Sequence, residues 1–502
     1  MADQNQPVKD ATTALPGGES KPRGTRAHDD DLPERFKEFM RGGWLDSTLS
    51  VTRRVEADHH AARRARLSAA FPGEILVVPT GREKVRANDS QYRFRPGSDF
   101  VWLTGEHDPD AVLIMQPNGS GHDALLYIRP RSPRDTDEFF RNAMYGELWI
   151  GRRHTLAEKE EELGIAARDL AELPAALAQC PPGRTRVLRG YDDTVDAAVL
   201  PYDPDRARGR DRELAVVLSE LRLAKDEWEI AQLQDAIDAT VRGFEDVARI
   251  LPADRSVSER LLEGIFNVRA RCEGNDLGYS SIVGAGAHAT ILHWIRNTGA
   301  TRPGELLLMD MGVENRNLYT ADVTRTLPVS GTFSPAQREV YEIVYRAQQA
   351  GIDTVAPGAA YQKVAEACDV VLAEGLHALG LLPGSVDEAL SQDSRVFKRW
   401  TLHGFGHMLG LDVHDCAQAR KETYRDGSLA EGYVLTVEPG LYFQPEDDLV
   451  PAELRGIGIR IEDDVLVTGD GAKVLSAGLP RTPDEVETWL AAQRAAGHRL
   501  PD

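Results

Sequence analysis

The segment "GIGIRIEDDVLV" sets the hardest condition on the fold, because Glu462 lies inside an apolar run that reads as a buried strand. By the strand period of two, Arg460 and Glu462 share one face, while Ile459 and Ile461 take the other. A carboxylate buried in this way must be paired, protonated or metal-bound. Two readings stay open for Glu462: a simple ion pair with Arg460, or membership of a larger charged site.

The surrounding sequence consists of Gly-punctuated strands, "LGYSSIVGAGA", "GELLLMDMGVE", "LYTADVTRTLPV" and "YVLTVEPGLYF", interleaved with helices such as the one Ser334 caps with Pro335 in its first turn. Strands and helices mix without strict βαβ alternation, which predicts an α+β fold. No internal repeat is visible. Upstream, "VEADHHAARRARLSAAF" reads as a helix, and "GEILVVPT", "DFVWLTG", "DAVLIMQP" and "DALLYIRP" read as strands of a smaller α/β domain. "PYDPDRARGRD" (201–211), with two prolines and dense charge, marks a boundary, after which two helices are broken near Lys225. The expected organisation is 1–54 as flexible tail and lead-in, 55–205 as the N-terminal α/β domain, 206–224 as a linker helix, 225–485 as the larger domain and 486–502 as a C-terminal tail. Residues 1–31, rich in Pro, Gly, Ser and charge without apolar periodicity, are expected to stay flexible.

Composition narrows the functional classes. With 59 Lys+Arg against 80 Asp+Glu the formal charge is −21, which repels nucleic acid and anionic lipid, so neither is an expected partner. The four cysteines, Cys180, Cys272, Cys368 and Cys416, are widely spaced and predict neither a disulfide framework nor a thiolate zinc site. A reducing cytoplasm fits them best. No N-terminal apolar leader and no membrane-length apolar run of about 20 residues is seen.

Asp310 and Asp322 flank a turn-like "ENRN". A hairpin centred on Arg316 is equidistant from both and would set them directly opposite each other, with Cβ atoms about 4.5 to 5.5 Å apart, where like charges destabilise. A cation between them reverses that sign; a shifted register removes the conflict. Glu438 ends an apolar strand just before a Pro-Gly turn. In "TLHGFGHMLGLDVHD", His403 and His407 are four apart, but Gly404, Gly406 and Gly410 predict a tight turn rather than a helix. Each histidine alone reads as a satisfied core residue. Six of the thirteen (His288, His293, His377, His403, His407 and His414) nevertheless fall in the same region as the acids. Two aspartates, two glutamates and a histidine form an oxygen-rich set suited to Mn²⁺, Co²⁺ or Zn²⁺, and four carboxylates fit two ions better than one. Such a pair, about 3.5 to 4 Å apart, generates a bridging hydroxide that attacks a carbonyl, so amide hydrolysis is the implied chemistry.

The ordered series His293 in "ILHWIRN", Asp310 in "LLLMDMG", Asp322 in "ADVTRTLPVSG", His403 and His407 in "LHGFGHMLGLDVHD", Glu438 in "TVEPG" and Glu462 in "RIEDD" closely resembles the Xaa-Pro aminopeptidases, also called aminopeptidase P. The resemblance spans about residues 55–485, since "GSDFVWLTGEHDPDAVLIM" and "GRRHTLAEKEEELGI" resemble that family's N-terminal domain. It implies a pita-bread catalytic domain, of the creatinase and methionine aminopeptidase kind, with a pseudo-twofold axis. It also implies two divalent ions, manganese foremost and zinc or cobalt as alternatives, held by Asp310, Asp322, His407, Glu438 and Glu462. By that pattern Asp322 and Glu462 touch both ions, His407 and Glu438 one, and Asp310 the other. Glu438 is the implied general acid/base, His293 and His414 stabilise the reacting amide, His403 supports them, and Tyr279 and Arg460 orient the carboxylates.

The implied activity is release of the N-terminal residue from peptides with proline in second position, by a cytoplasmic homo-oligomer, dimer or tetramer. Trp102 stands one place away from the bulky residue that, in the family, a neighbouring subunit lends to the substrate channel. The segment between His414 and Glu438 also departs from the family pattern. Prolidase, which cleaves Xaa-Pro dipeptides, shares the fold and ligands and is the nearest alternative. Metal-free creatinase-like catalysis or a non-catalytic pita-bread binding protein would predict lost ligand positions, and none is lost here.

Overall fold

The computed structural model describes residues 32–199 and 204–497, so the flexibility expected of 1–31 lies outside the described residues. Within the 1–54 stretch expected to be tail and lead-in, Glu34–Met40 is a short helix with no buried residue. The N-terminal domain proper begins with α1 (Ala57–Ala70), which buries His60, Arg63, Arg64 and Leu67. A five-stranded sheet follows, built from β1 (Ile75–Pro79), β2 (Val112–Pro117), β3 (His122–Ile128), β4 (Ala166–Asp169) and β5 (Thr185–Val187) in the order β4-β3-β2-β1-β5. Its central pairs are antiparallel and its outer pairs parallel.

The run "DFVWLTG", expected as a strand, is instead helix α2 (Ser98–Thr104), ended by Gly105 in the left-handed conformation at φ 70°. All seven residues of α2 are buried, and a short run that is apolar on every side does not distinguish helix from strand. Trp102 is fully buried and its indole N–H donates to Glu229 Oε1 at 3.2 Å, so it presents no surface to a neighbouring subunit.

The chain then runs through α3 (Pro204–Arg222) and α4 (Glu227–Ile250), and the break expected near Lys225 is present. Asp226 makes it, by capping α4 in a reciprocal capping box with Glu229. Beyond lie α5 (Glu259–Glu273), β6 (Ile282–Ala285), β7 (Leu306–Met311) and β8 (Val323–Pro328), the strands forming an antiparallel sheet in the order β8-β7-β6. Next come α6 (Pro335–Thr354), capped by Ser334 with Pro335 in the first turn, and α7 (Tyr361–Ala378). They precede β9 (Val434–Val437), β10 (Gly440–Tyr442), β11 (Gly458–Arg460), β12 (Asp463–Thr468) and β13 (Gly471–Val474). Strands β9, β12 and β13 form a second antiparallel sheet, ordered β9-β12-β13, and β10 pairs with β11.

A helix pair followed by a three-stranded antiparallel sheet thus occurs twice, an internal repeat that the sequence hides. This is the α+β arrangement expected. Residues assigned to a C-terminal tail behave differently: Pro483–Ala496 is helix α8, started by a capping box at Thr482, and it buries Val486 and Leu490 in the main core.

Candidate metal centre

Strands β7 and β8 place Asp310 opposite Thr324 and Met311 opposite Val323. The hairpin is therefore centred on Asn317 rather than Arg316, and the two aspartates are not directly opposed. The turn sets the register: Asn315 Oδ1 accepts from the main-chain N–H of Asn317 and Tyr319, and Leu318 sits at φ 68°. Asp322, two residues before Thr324, still shares its face, so Asp310 and Asp322 lie diagonally on one side of the pair. The Tyr279 hydroxyl is 2.6 Å from Oδ1 of each aspartate. A phenol carries one proton, so it satisfies one carboxylate and leaves the other needing a proton or an ion.

Arg460 does not form the simple pair with Glu462. Its Nη2 reaches Asp310 Oδ2 at 2.5 Å, Nη1 donates to Tyr442 Oη at 2.9 Å and Nε to Thr324 Oγ1 at 3.1 Å. The Thr324 hydroxyl then donates to Glu462 Oε2 at 2.6 Å. β11 ends at Arg460 and Glu462 precedes β12, with its main-chain N–H on Thr324 O at 3.1 Å, so the two side chains engage β7 and β8 instead of each other.

The His403–His407 segment is irregular, as its glycines predict, and is laced to β9. Leu409 N–H donates to Val434 O, Thr436 N–H to His407 O and Glu438 N–H to Phe405 O. Gly406 is required for this approach, since a Cβ there would collide with the carbonyl oxygen of Thr436. The lacing sets His407 beside Glu438. His407 Nδ1 lies 3.2 Å from Met408 O, leaving Nε2 facing Asp322 Oδ2 at 3.3 Å and Glu438 Oε1 at 3.6 Å.

Asp322, His407 and Glu462 each present one donor atom within 4.8 Å of the others, a spacing open to a metal ion. Asp310 is joined to this group through Tyr279, and Glu438 through His407. All five lie on one cavity of about 730 Å³, which His293, His403, His414, Tyr279 and Arg460 also line. His414 packs edge-on against His407 with ring centroids 4.3 Å apart, and His403 Nε2 is 2.8 Å from Tyr442 Oη.

The charge balance of the cluster suits a cation. Burial, reinforced by Asp322, Glu438 and Asp310, pushes Glu462 well above the usual carboxylate range. Burial and Asp310 raise Asp322 despite its contact with His407. Burial and Asp322 lift Glu438 to about 7, although His407 opposes them. For His407, burial is outweighed by Asp322 and Glu438, which raise it to about 9. Without an ion the cluster retains protons to offset mutual repulsion. A hard or borderline divalent cation, suited to this oxygen-rich set, removes the same repulsion.

Three contributors escaped the sequence reading: Thr324, Tyr442 and Thr436, whose hydroxyl accepts from the His407 N–H at 3.1 Å. For Thr324 a signal was present, because it lies two residues from Asp322 on the same strand face. Nothing in the sequence marked the other two. In "RIEDD" the acids diverge. Asp463 pairs with Arg325 at 2.7 Å, while Asp464 accepts the Asp322 N–H at 3.2 Å.

A family model described as metallopeptidase family M24 matches residues 231–469, and one described as aminopeptidase P, N-terminal domain, matches residues 60–188. Among relatives, Xaa-Pro aminopeptidase 1 of Streptomyces coelicolor is 52% identical over 495 residues, covering 98% of this chain and 99% of its own length. The Xaa-Pro aminopeptidase of Escherichia coli is 33% identical over 447 residues, covering 86% and 97%. Among solved structures, E. coli aminopeptidase P with the inhibitor Pro-Leu matches at a TM-score of 0.77 and 32% identity, covering 88% of this chain and all of that one. Zinc-substituted E. coli aminopeptidase P in complex with product matches with the same TM-score and identity. Fold and site therefore define a metal-dependent hydrolase. The chain belongs to the Xaa-Pro aminopeptidases.

Proposed function

We propose that Asp310, Asp322, His407, Glu438 and Glu462 hold two divalent ions, manganese foremost, in an enzyme that releases the N-terminal residue ahead of proline. The observation that carries this reading is the convergence of four carboxylates and His407 Nε2 on one cavity, where one phenol is shared between two aspartates. Bound there, divalent ions supply Lewis acidity at the scissile carbonyl and acidify the attacking water.

The remaining work falls to the chain. Glu438, set beside His407 on the cavity, takes a proton from the attacking water and returns it to the departing proline nitrogen. His293 and His414 stand on separate segments of the cavity wall and donate to the reacting amide. Arg460 and Tyr279 fix Asp310 and Asp322, and His403, held neutral by burial and by Arg460, supports Glu438 from 3.6 Å. The apolar Ile282, Leu292, Ile295 and Val413 suit the proline ring.

Among the described residues no helix is long and apolar enough to cross a membrane. A cytoplasmic location accords with the four free cysteines. A homo-oligomer, dimer or tetramer, accords with the exposure of Phe39, Leu45 and Trp149. The domain division near the 201–211 segment is supported by one core confined to residues 75–199 and another confined to 239–490, while a third core, from Leu67 to Leu475, joins the two sides.

The decisive test is hydrolysis of an Xaa-Pro-Xaa tripeptide and the matching Xaa-Pro dipeptide after chelation, with and without Mn²⁺, Zn²⁺ or Co²⁺ restored. Metal-dependent cleavage before proline in the tripeptide, with the dipeptide poorer, is expected. Cleavage of the dipeptide alone would make the enzyme a prolidase.

A further inference from the structure

We propose that Glu259 is a positioning residue that acts on the reaction by clamping the loop from which His293 reaches the cavity. The inference rests on the role given above to His293. Glu259 stands in the first turn of α5, is fully buried, and neither lines the cavity nor touches any proposed ligand. Its carboxylate is saturated by the His293 loop. Oε1 accepts from the main-chain N–H of Ala285 at 2.9 Å and lies 2.8 Å from His288 Nδ1. Oε2 accepts from the indole N–H of Trp294 at 2.8 Å and the main-chain N–H of Gly299 at 2.6 Å.

These four partners bracket the loop. Ala285 is where β6 hands over to it, Gly299 is where it ends, and His288 and Trp294 lie between. Glu259 N–H also donates to Gly299 O at 3.0 Å. The rings of His288 and Trp294 stack at 3.9 Å between centroids, so the carboxylate and the stack together hold the loop closed on itself. Gly299 must lack a side chain, because a Cβ would come within 2.5 Å of His288 Nδ1 and 2.7 Å of Glu259 Oε1.

His293 is the residue immediately before Trp294. Among the described residues no hydrogen bond is made to its ring, so its place in the cavity follows from the main chain that carries it. A buried carboxylate with four donors is an expensive device for holding a surface loop. It is economical where the loop carries a group whose placement governs a rate, since misplacement by about 1 Å costs on the order of 10²-fold.

The test is a double-mutant cycle. Trp294→Phe keeps the aromatic stack and removes only the N–H on Oε2; Glu259→Gln and His288→Ala disturb the same hub from other sides, with thermal unfolding read for each. Trp294→Phe is expected to lower kcat about 10- to 100-fold with metal content and KM nearly unchanged. In a His293→Ala background the same substitution should change kcat less than about twofold, because the group it positions is gone. An equal multiplicative loss in both backgrounds, or full activity in the Trp294→Phe single variant, overturns the proposal. Wild-type turnover by His293→Ala alone would instead refute the role of His293, and the clamp's catalytic role with it.

Discussion

Tyr279 has one proton and two carboxylates that need it, Asp310 and Asp322, each 2.6 Å away. That shortage supports the proposed cation site over a network of ion pairs, since Arg460 is already committed to Asp310, Thr324 and Tyr442. It also separates two kinds of residue by what their loss should do. Asp322→Ala removes an anion from the centre of the group and is expected to abolish bound metal and turnover together. His414→Ala removes a half-exposed ring that touches His407 but offers no atom to the cluster of Asp322, His407 and Glu462. It should keep its metal and lose about 10²-fold in kcat. Metal content by elemental analysis beside single-substrate kinetics checks both, and an empty site in His414→Ala would dissolve the distinction.

At the scale of elements, the site depends on irregular backbone pressed against regular strands. The 405–409 segment runs along β9 close enough that position 406 admits no side chain. Gly406→Ala is therefore expected to cost about 1 to 3 kcal/mol of stability through overpacking. It should also weaken metal binding, because His407 is the next residue and its N–H is held by Thr436. Denaturant unfolding and a metal titration read the two effects, and unchanged metal affinity would mean that the backbone contact does not place His407. The same reasoning explains an error of register. "ENRN" looked like a symmetric turn about Arg316, yet the side chain of Asn315 closes the turn on Asn317 and Tyr319 and moves its centre by one residue.

At the scale of the molecule, the N-terminal domain is joined to the site through buried charge. Arg222, at the end of α3, donates to Asp99 of α2 at 2.7 Å, to Asp412 at 2.9 Å and to Asp415, whose other oxygen takes Lys225 Nζ at 2.8 Å. Asp412 and Asp415 flank His414, so the loop carrying that ring is braced from the other domain. Nearby, His60 of α1 is buried against Trp102, and burial together with the Arg63 charge lowers it from 6.5 to about 3. A histidine depressed on folding stabilises fully above its unfolded value. That contribution is lost as pH falls toward the folded one, at about 1.4 kcal/mol per pH unit. Denaturant midpoints should therefore fall more steeply from pH 6.5 to 5 in the wild type than in His60→Gln, where no ring titrates. Equal slopes would show that His60 charges without cost.

By itself the sequence carried the reading of a metal-dependent hydrolase, which rested on the types and order of Asp310, Asp322, His407, Glu438 and Glu462 and agrees with the family found. It also determined local events governed by neighbours in the chain, such as the Ser334 cap, the break at Asp226 and the glycine turn at His403. Only the tertiary structure decided what depends on partners distant in the chain: that α2 is a helix, that 483–496 is core and not tail, and that Arg460 serves Asp310 rather than Glu462. Periodicity reports which face of a segment avoids water, and falls silent where every face does, as in α2. The choice of partner for a buried charge is made across strands, by register and by side-chain hydrogen bonds that have no local signature.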